Sequence, residues 1–292
     1  MANSGGTPKC LFCRGEAVFY FEKRADQGIY PIFRCVSCHS AFTWPRPSTQ
    51  DSLNIYRSKD YSNVSMDRAD ELDRDYHPNS RGDSLRIIAR CRELAKGNSL
   101  FDIGAGHGIF SQAAQEAGFA VHACEPSPKA RVVYASRLGK KPEACAFDGK
   151  AAARSKGQFD VVLLSQTLEH IPEPEIMVRD LHTVLKVGGI AAIAVPHFGS
   201  ALSKLQGRRD TFISPPEHLN FFSRKGLVAL FTRLGFALER METVSKIPKK
   251  YVRRILRLPF LTEVGWRTGY GVMRLSDYLG LGMVLNAYFR KK

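Results

Sequence analysis

The chain has 292 residues, 44% of them hydrophobic and 24% charged, with 43 Lys and Arg against 28 Asp and Glu for a net charge of +15. That apolar content excludes a wholly disordered or fibrous chain, and the length leaves room for about two domains. The positive surplus points to an anionic partner: a small or lipid-linked anionic molecule, an acidic membrane surface, or nucleic acid. No apolar run approaches the roughly 18 residues of a membrane span, and the N-terminus lacks the basic and apolar regions of a secretion signal, so a cytoplasmic location is expected.

Seven cysteines divide the chain, and four of them form two knuckles, Cys10-Leu-Phe-Cys13 and Cys35-Val-Ser-Cys38. Two such pairs about 20 residues apart predict a four-thiolate zinc site in a small ribbon over residues 1–47. Each knuckle aims two sulfurs at one point, and a hairpin brings the pairs together. The β-rich runs 17–21 and 29–33 supply that hairpin, with 25–28 as its turn. So small a unit has too little core to fold alone, so bound metal is its expected main source of stability. Two disulfides or a pair of reactive dithiols are the alternatives. A reducing compartment argues against the first, and no thioredoxin-like βαβ pattern surrounds either pair. Cys91, Cys124 and Cys145 read as small buried apolar residues, and His39 as a bystander.

Trp44-Pro-Arg-Pro-Ser48 is the exit from the ribbon. Residues 48–98 read as a helical linker or lid, with a helix over 83–96 closed by Gly97. From Ser99 onward strand and helix signals alternate. Strands are expected at 100–103, 120–124, 144–147, 159–164 and 189–195, with helices at 109–117, 128–138 and 173–185. This is the pattern of an open parallel sheet, which binds ligands at the carboxyl ends of its strands. The first strand runs into Gly104-Ala-Gly106-His-Gly108. That is GxGxG rather than the dinucleotide GxGxxG, and no phosphate-binding GxxxxGK[ST] loop exists. About 20 residues further, Glu125 closes the second strand, where a carboxylate can accept hydrogen bonds from a ribose diol.

The segments Phe101-Asp-Ile-Gly-Ala-Gly-His-Gly108, Glu125-Pro-Ser127, Phe147-Asp148, Phe159-Asp-Val-Val-Leu-Leu-Ser-Gln-Thr-Leu-Glu-His-Ile171 and Leu185-Lys-Val-Gly-Gly189 resemble, in order and spacing, the motifs of class I S-adenosylmethionine-dependent methyltransferases. The resemblance covers residues 99–239. It implies an α/β, Rossmann-like sheet of seven strands with helices on both faces, spanning 99–292 and preceded by the zinc ribbon. It further implies roles for particular residues. Gly104 and Gly106 would lie against the methionine moiety of the cofactor, and Asp102 would position that loop and its amino group. Glu125 would hold the ribose. Phe147 and Asp148 would contact adenine, and Ser165 and Gln166 would flank the methionine amine and the methyl.

A base is needed if the acceptor must lose a proton, and two Glu-His pairs qualify. Glu169-His170 follows the fourth strand. In ubiquinone-pathway O-methyltransferases, which carry this pair, it binds a divalent metal together with an upstream glutamate; here that place is Gln166. Glu217-His218 follows the fifth strand and is similar to the Glu-His segment of zinc-containing sugar C-methyltransferases. There a histidine–glutamate pair serves as base. The tyrosine of those enzymes is Pro215 here, and their large C-terminal domain is absent. The candidate catalytic residues are His218, Glu217 and His170.

A strand at 235–238 and a final antiparallel strand at 283–289 complete the expected sheet. The insertion between them, about 246–281, is basic and amphipathic. Residues 241–292 hold 11 Lys and Arg against 3 Asp and Glu. On a helix over 249–258, Lys249, Lys250, Arg253, Arg254 and Arg257 share one half of the wheel. Such a face suits acceptor phosphate or the inner surface of an anionic membrane. The expected acceptor is a sugar of polysaccharide or nucleotide-sugar metabolism. The alternative is RNA held by ribbon and tail, although Ser165-Gln-Thr-Leu168 is no base-methylation motif.

Overall fold

The computed structural model describes residues 7–57, 80–245 and 259–292. The ribbon is a hairpin of β1 (Ala17–Ala25) and β2 (Gly28–Cys35), with the short β3 (Ala41–Thr43) antiparallel to β2. It does not close on itself. A strand of the larger domain, β8 (Asn220–Phe221), adds to β3 through the pairs Ala41↔Phe221 and Phe42↔Asn220.

The main sheet is formed by β4 (Ser99–Ile103), β5 (Ala120–Cys124), β6 (Phe159–Ser165), β7 (Leu185–Pro196), β9 (Phe236–Val244) and β10 (Val284–Lys291). Its order is β5-β4-β6-β7-β10-β9. The first four strands are parallel, and β10 inserts antiparallel to both β7 and β9. Alternation along β6 builds the layers. Val162 and Leu164 face one apolar cluster, and Val161 and Leu163 face the other. The second face is covered by α2 (Arg81–Leu94) and α3 (Ile109–Glu116) through Ile87, Ile88, Cys91, Phe110 and Ala113. The first is covered by α5 (Gly149–Arg154), α6 (Pro174–Val184) and α8 (Arg224–Arg233). That cluster continues into the ribbon, where Phe12 meets Phe222 with ring centroids 4.7 Å apart. The remaining helices are α1 (Thr49–Arg57), α4 (Pro128–Leu138), α7 (Ala201–Gln206) and α9 (Pro259–Tyr278).

Among the described residues the sheet has six strands rather than the expected seven. Residues 144–147 form no strand. Only a single bridge joins Glu143 to Cys124, with Glu143 N–H donating to Ala123 O at 2.8 Å and Glu125 N–H to Glu143 O at 3.0 Å. Pro142, which has no N–H, stands just before this bridge, and Asp148 opens α5 just after it, so no ladder develops. The helix expected over 83–96 spans Arg81–Leu94 and starts at the capping residue Ser80. Gly97 does not close it. Ala95 does so in an extended conformation, and Gly97 leaves room for the Asp160 carboxylate that caps Ser99 N–H at 3.0 Å. The final two strands fall where expected. The basic helix expected over 249–258 lies outside the described residues, and no helix among the described ones is long and apolar enough to cross a membrane.

Candidate active site

The carboxyl ends of β4, β5 and β6 meet around the glycine loop. Gly104, Gly106 and Gly108 all have positive φ, but they serve different ends. A Cβ at Gly108 would lie 2.8 Å from both Leu138 and Tyr134, so this glycine permits close packing onto α4. A Cβ at Gly106 would meet nothing within 4 Å, so this part of the loop borders open space. Glu125 is buried beside it. One carboxylate oxygen accepts from Gly106 N–H at 2.8 Å and the other from Ser127 N–H at 2.7 Å. Each oxygen keeps a second lone pair for a ligand hydroxyl. Burial pushes the Glu125 carboxyl up, against those two N–H groups and Arg131, which hold it down.

Asp102 is buried behind the loop and accepts from Ser111 Oγ at 2.7 Å. Burial, with the Glu125 charge adding, pushes its carboxyl up to about 7. Phe147 stands in the apolar layer, edge-on to Phe101 at 5.5 Å, and Asp148 caps α5 by accepting from Ala151 N–H at 2.9 Å. Ser165 ends β6. Gln166 follows with φ +51, an uncommon conformation for a side-chain-bearing residue, and its Nε2 is buried without a hydrogen-bond partner. It is a buried donor at the end of β6, one residue before the Thr167 side chain that packs against Gly104.

The two Glu-His pairs, 48 residues apart, come together just beyond Gln166. The His170 and His218 rings lie 4.8 Å apart at 70°. His170 Nδ1 bonds Glu217 O at 2.8 Å, and His218 Nδ1 bonds Phe212 O at 2.8 Å. A carbonyl can only accept, so both Nδ1 atoms carry the proton in these bonds, and the neutral His218 ring has its lone pair on Nε2. Burial lowers both imidazoles, His170 to about 3 with the neighbouring His218 adding to the effect. Glu169 is fully buried, neither carboxyl oxygen has a hydrogen-bond partner, and burial pushes it up to about 8. Ligand atoms of Glu169, His170 and His218 all lie within 4.8 Å of one another, a spacing at which they can share a cation. Glu217 is exposed, and its carbonyl, rather than its carboxylate, orients His170.

In the ribbon, Cys10, Cys13, Cys35 and Cys38 place their sulfurs within 4.8 Å of one another, with no disulfide. Tetrahedral Zn–S bonds of about 2.3 Å require sulfurs about 3.8 Å apart. The pairs Cys10–Cys38 at 3.6 Å and Cys13–Cys35 at 3.5 Å come close to that. The two knuckles repeat one geometry. Arg14 and His39, each directly after a CxxC, take positive φ of 66° and 62°, and their N–H groups bond back to Cys10 O and Cys35 O. By contrast Cys91 is wholly buried with its thiol pushed up to about 12, the state of an inert core cysteine.

A family model described as "Methyltransferase domain" matches residues 76–240, more than half of the chain. The chain belongs to the methyltransferase-domain family. It is an S-adenosylmethionine-dependent methyltransferase. This methyltransferase is 26% identical over 203 residues to the ubiquinone biosynthesis O-methyltransferase of Xanthomonas euvesicatoria pv. vesicatoria, covering 62% of this chain and 79% of that protein. It is 32% identical over 146 residues to the protein of the same name from Bordetella avium, covering 44% of this chain and only 60% of that one. Two solved structures share its fold. Burkholderia thailandensis 1,6-didemethyltoxoflavin-N1-methyltransferase, with S-adenosylhomocysteine bound, aligns with a TM-score of 0.53 at 18% identity, covering 88% of this chain and 97% of that one. Haemonchus contortus phosphoethanolamine N-methyltransferase 2 in complex with S-adenosylmethionine aligns at 0.54 and 16%, covering 93% and 71%.

Residues that sequence reasoning missed join the ribbon to this site. They are Arg46, Asn220, Ser223 and Gly226. Their partners lie far away in sequence, and no local pattern marks them.

Proposed function

We propose that this methyltransferase methylates a small or lipid-linked acceptor that loses a proton in the reaction, a sugar hydroxyl or an acidic sugar carbon. The observation that carries the reading is the His170–His218 pair, in which the His218 Nδ1–H is tied to Phe212 O, so that its Nε2 carries the lone pair, and the His170 ring packs against it. An acceptor amine with a free lone pair needs no such base, whereas a hydroxyl or carbon acid does. The relatives named as O-methyltransferases support the same class of acceptor. Bound S-adenosylmethionine supplies a methyl group already activated as a sulfonium, so the protein must mainly align the acceptor and exclude water.

In this reading Gly104 and Gly106 lie along the methionine moiety, Asp102 sets the loop and meets the amino group, and Glu125 grips the ribose. Phe147 and Asp148 border the adenine side, and Ser165 and Gln166 flank the methionine amine and methyl. His218 takes the acceptor proton on Nε2. His170 packs against His218 and orients it. The four ribbon cysteines hold a structural zinc ion. An acceptor phosphate or an anionic membrane surface would be met by the basic stretch 246–258. An acceptor screen with isotope-labelled methyl donor, on the parent and on His218→Ala, tests the proposal. Sugar nucleotides or lipid-linked sugars should be labelled by the parent alone; labelling of amines only would refute it.

One observation favours RNA as the acceptor instead. Arg208, just after α7, lies over the Tyr20 and Phe21 rings of the ribbon at 5.9 and 5.8 Å, beside a surface cavity of about 390 Å³. RNA binding would fall steeply and log-linearly with salt, whereas a sugar nucleotide would give a shallow slope.

A further inference from the structure

The ribbon exit carries a guanidinium that does not pair with a carboxylate. We infer that Arg46 is a positioning residue for the acceptor site, joining from the ribbon side the two loops that present His170 and His218. Its donors are fully used, and every acceptor is neutral. Nε donates to Pro172 O at 2.9 Å. Nη1 donates to Leu219 O at 2.9 Å and, more weakly, to Thr43 O and Oγ1 at 3.4 and 3.3 Å. Nη2 donates to Ile171 O at 3.0 Å and Asn220 Oδ1 at 2.9 Å.

Apart from the weaker contacts to Thr43 in the ribbon, the acceptors fall in two groups. Ile171 and Pro172 directly follow Glu169-His170, and Leu219 and Asn220 directly follow Glu217-His218. The planar fork therefore spans the two histidine loops just after each imidazole. Asn220 reinforces it, donating from Nδ2 to Leu168 O at 3.0 Å and Ile171 O at 2.8 Å, while Leu219 N–H donates to Glu169 O at 2.8 Å. The relation between the rings depends on this register, because His170 takes its tautomer from a carbonyl on the opposite loop, Glu217 O.

Burying a guanidinium among carbonyls is costly: desolvation pulls its pKa down to about 10. An apolar residue would hold two loops together more cheaply, but it could not fix their register. A lysine has three donors at a single point and cannot bridge these six acceptor atoms. The ribbon thus acts as more than an appended metal knuckle: its exit residue sets the geometry of the acceptor-side histidines.

The inference rests on the reading of those histidines as the acceptor pair. Its test does not require the acceptor. In the full-length, zinc-loaded protein with 15N-labelled histidine, imidazole spectra report the tautomers of His170 and His218 directly. The parent should show both as Nδ1–H. In Arg46→Lys and Arg46→Ala the His170 signal should move toward mixed tautomers while that of His218, tied to Phe212 O on its own loop, stays Nδ1–H; zinc content should stay stoichiometric and affinity for S-adenosylhomocysteine should change less than about twofold. Millimolar methylguanidinium should restore the Arg46→Ala spectrum. If Arg46→Ala fails to fold, Arg46→Lys decides. Unchanged histidine spectra in a folded variant would overturn the inference. Failure of the parent itself to bind S-adenosylhomocysteine would overturn the functional reading, and the tautomer comparison would still decide the role of Arg46.

Discussion

Gly226, in the first turn of α8, lies so close to Ser40 that an added Cβ would overlap the serine side chain and stand 3.2 Å from Cys38 Sγ. Ser40 cannot simply move away. Its Oγ donates to Ser223 Oγ at 3.0 Å and accepts from Ser223 N–H at 2.9 Å, while Ser223 Oγ donates to Cys38 O at 2.5 Å. The helix of the catalytic domain is therefore capped by a residue that also ties down the second cysteine knuckle.

Gly226→Ala accordingly sets two effects against each other. Alanine gains about 1 kcal/mol in helix propensity. The overlap in a packed, hydrogen-bonded site costs about 1–3 kcal/mol. The second should win, since the serine is held by two bonds. Chemical denaturation should show a net loss of stability in Gly226→Ala but none in the neighbouring, exposed Lys225→Ala.

Zinc should be present at one equivalent per chain by metal analysis. Its removal by a strong chelator should lower the melting temperature of the whole protein, because the ribbon core, through Phe12 and Phe42, is continuous with that of the catalytic domain. Cys38→Ser should do the same without chelator. An unaltered melting curve after complete zinc removal would contradict this coupling.

His218→Ala should reduce methyl transfer by roughly 100-fold or more, with little change in affinity for S-adenosylmethionine. Because burial holds the His218 imidazole below its ordinary range, it is neutral at physiological pH. The rate should therefore fall as pH drops through a midpoint below about 6.5 and be flat above it. A midpoint above that value would assign the base to another group.

Much of this was legible in the chain itself. The cysteine spacing, the GxGxG loop and Glu125 are local patterns, because each places its ligating groups within a few residues. The contacts that join ribbon to site were not legible. Arg46 meets acceptors 125 and more residues away, and neither Gly226 nor Asn220 stands in a pattern that distinguishes it from ordinary helix or loop residues. The third strand was misread because Ala144-Cys-Ala-Phe147 is apolar enough for a strand, while Pro142 and the Asp148 cap leave it room for a single bridge. The closeness of the two Glu-His pairs depends on the path of β7 and the following loop, which periodicity does not encode.

Asp102 supplies a linkage prediction. Burial raises its carboxyl to about 7 in the ligand-free protein. A cation bound nearby favours the ionised form and lowers that value. Binding of S-adenosylmethionine at pH 6 should then release about one proton, and affinity should rise as pH increases toward 7. Calorimetry in two buffers of different ionisation enthalpy measures the release. Asp102→Asn should abolish it.

Glu125, bonded to the Gly106 and Ser127 N–H groups at the end of β5, is the residue proposed to grip the ribose. Titration calorimetry of the parent and of Glu125→Ala with S-adenosylhomocysteine tests it most directly. Loss of hydrogen bonds to a charged group, worth about 1.5–3 kcal/mol each, predicts affinity at least about tenfold weaker in a variant that still folds. Equal affinity in the two proteins, or no heat with either, would contradict it.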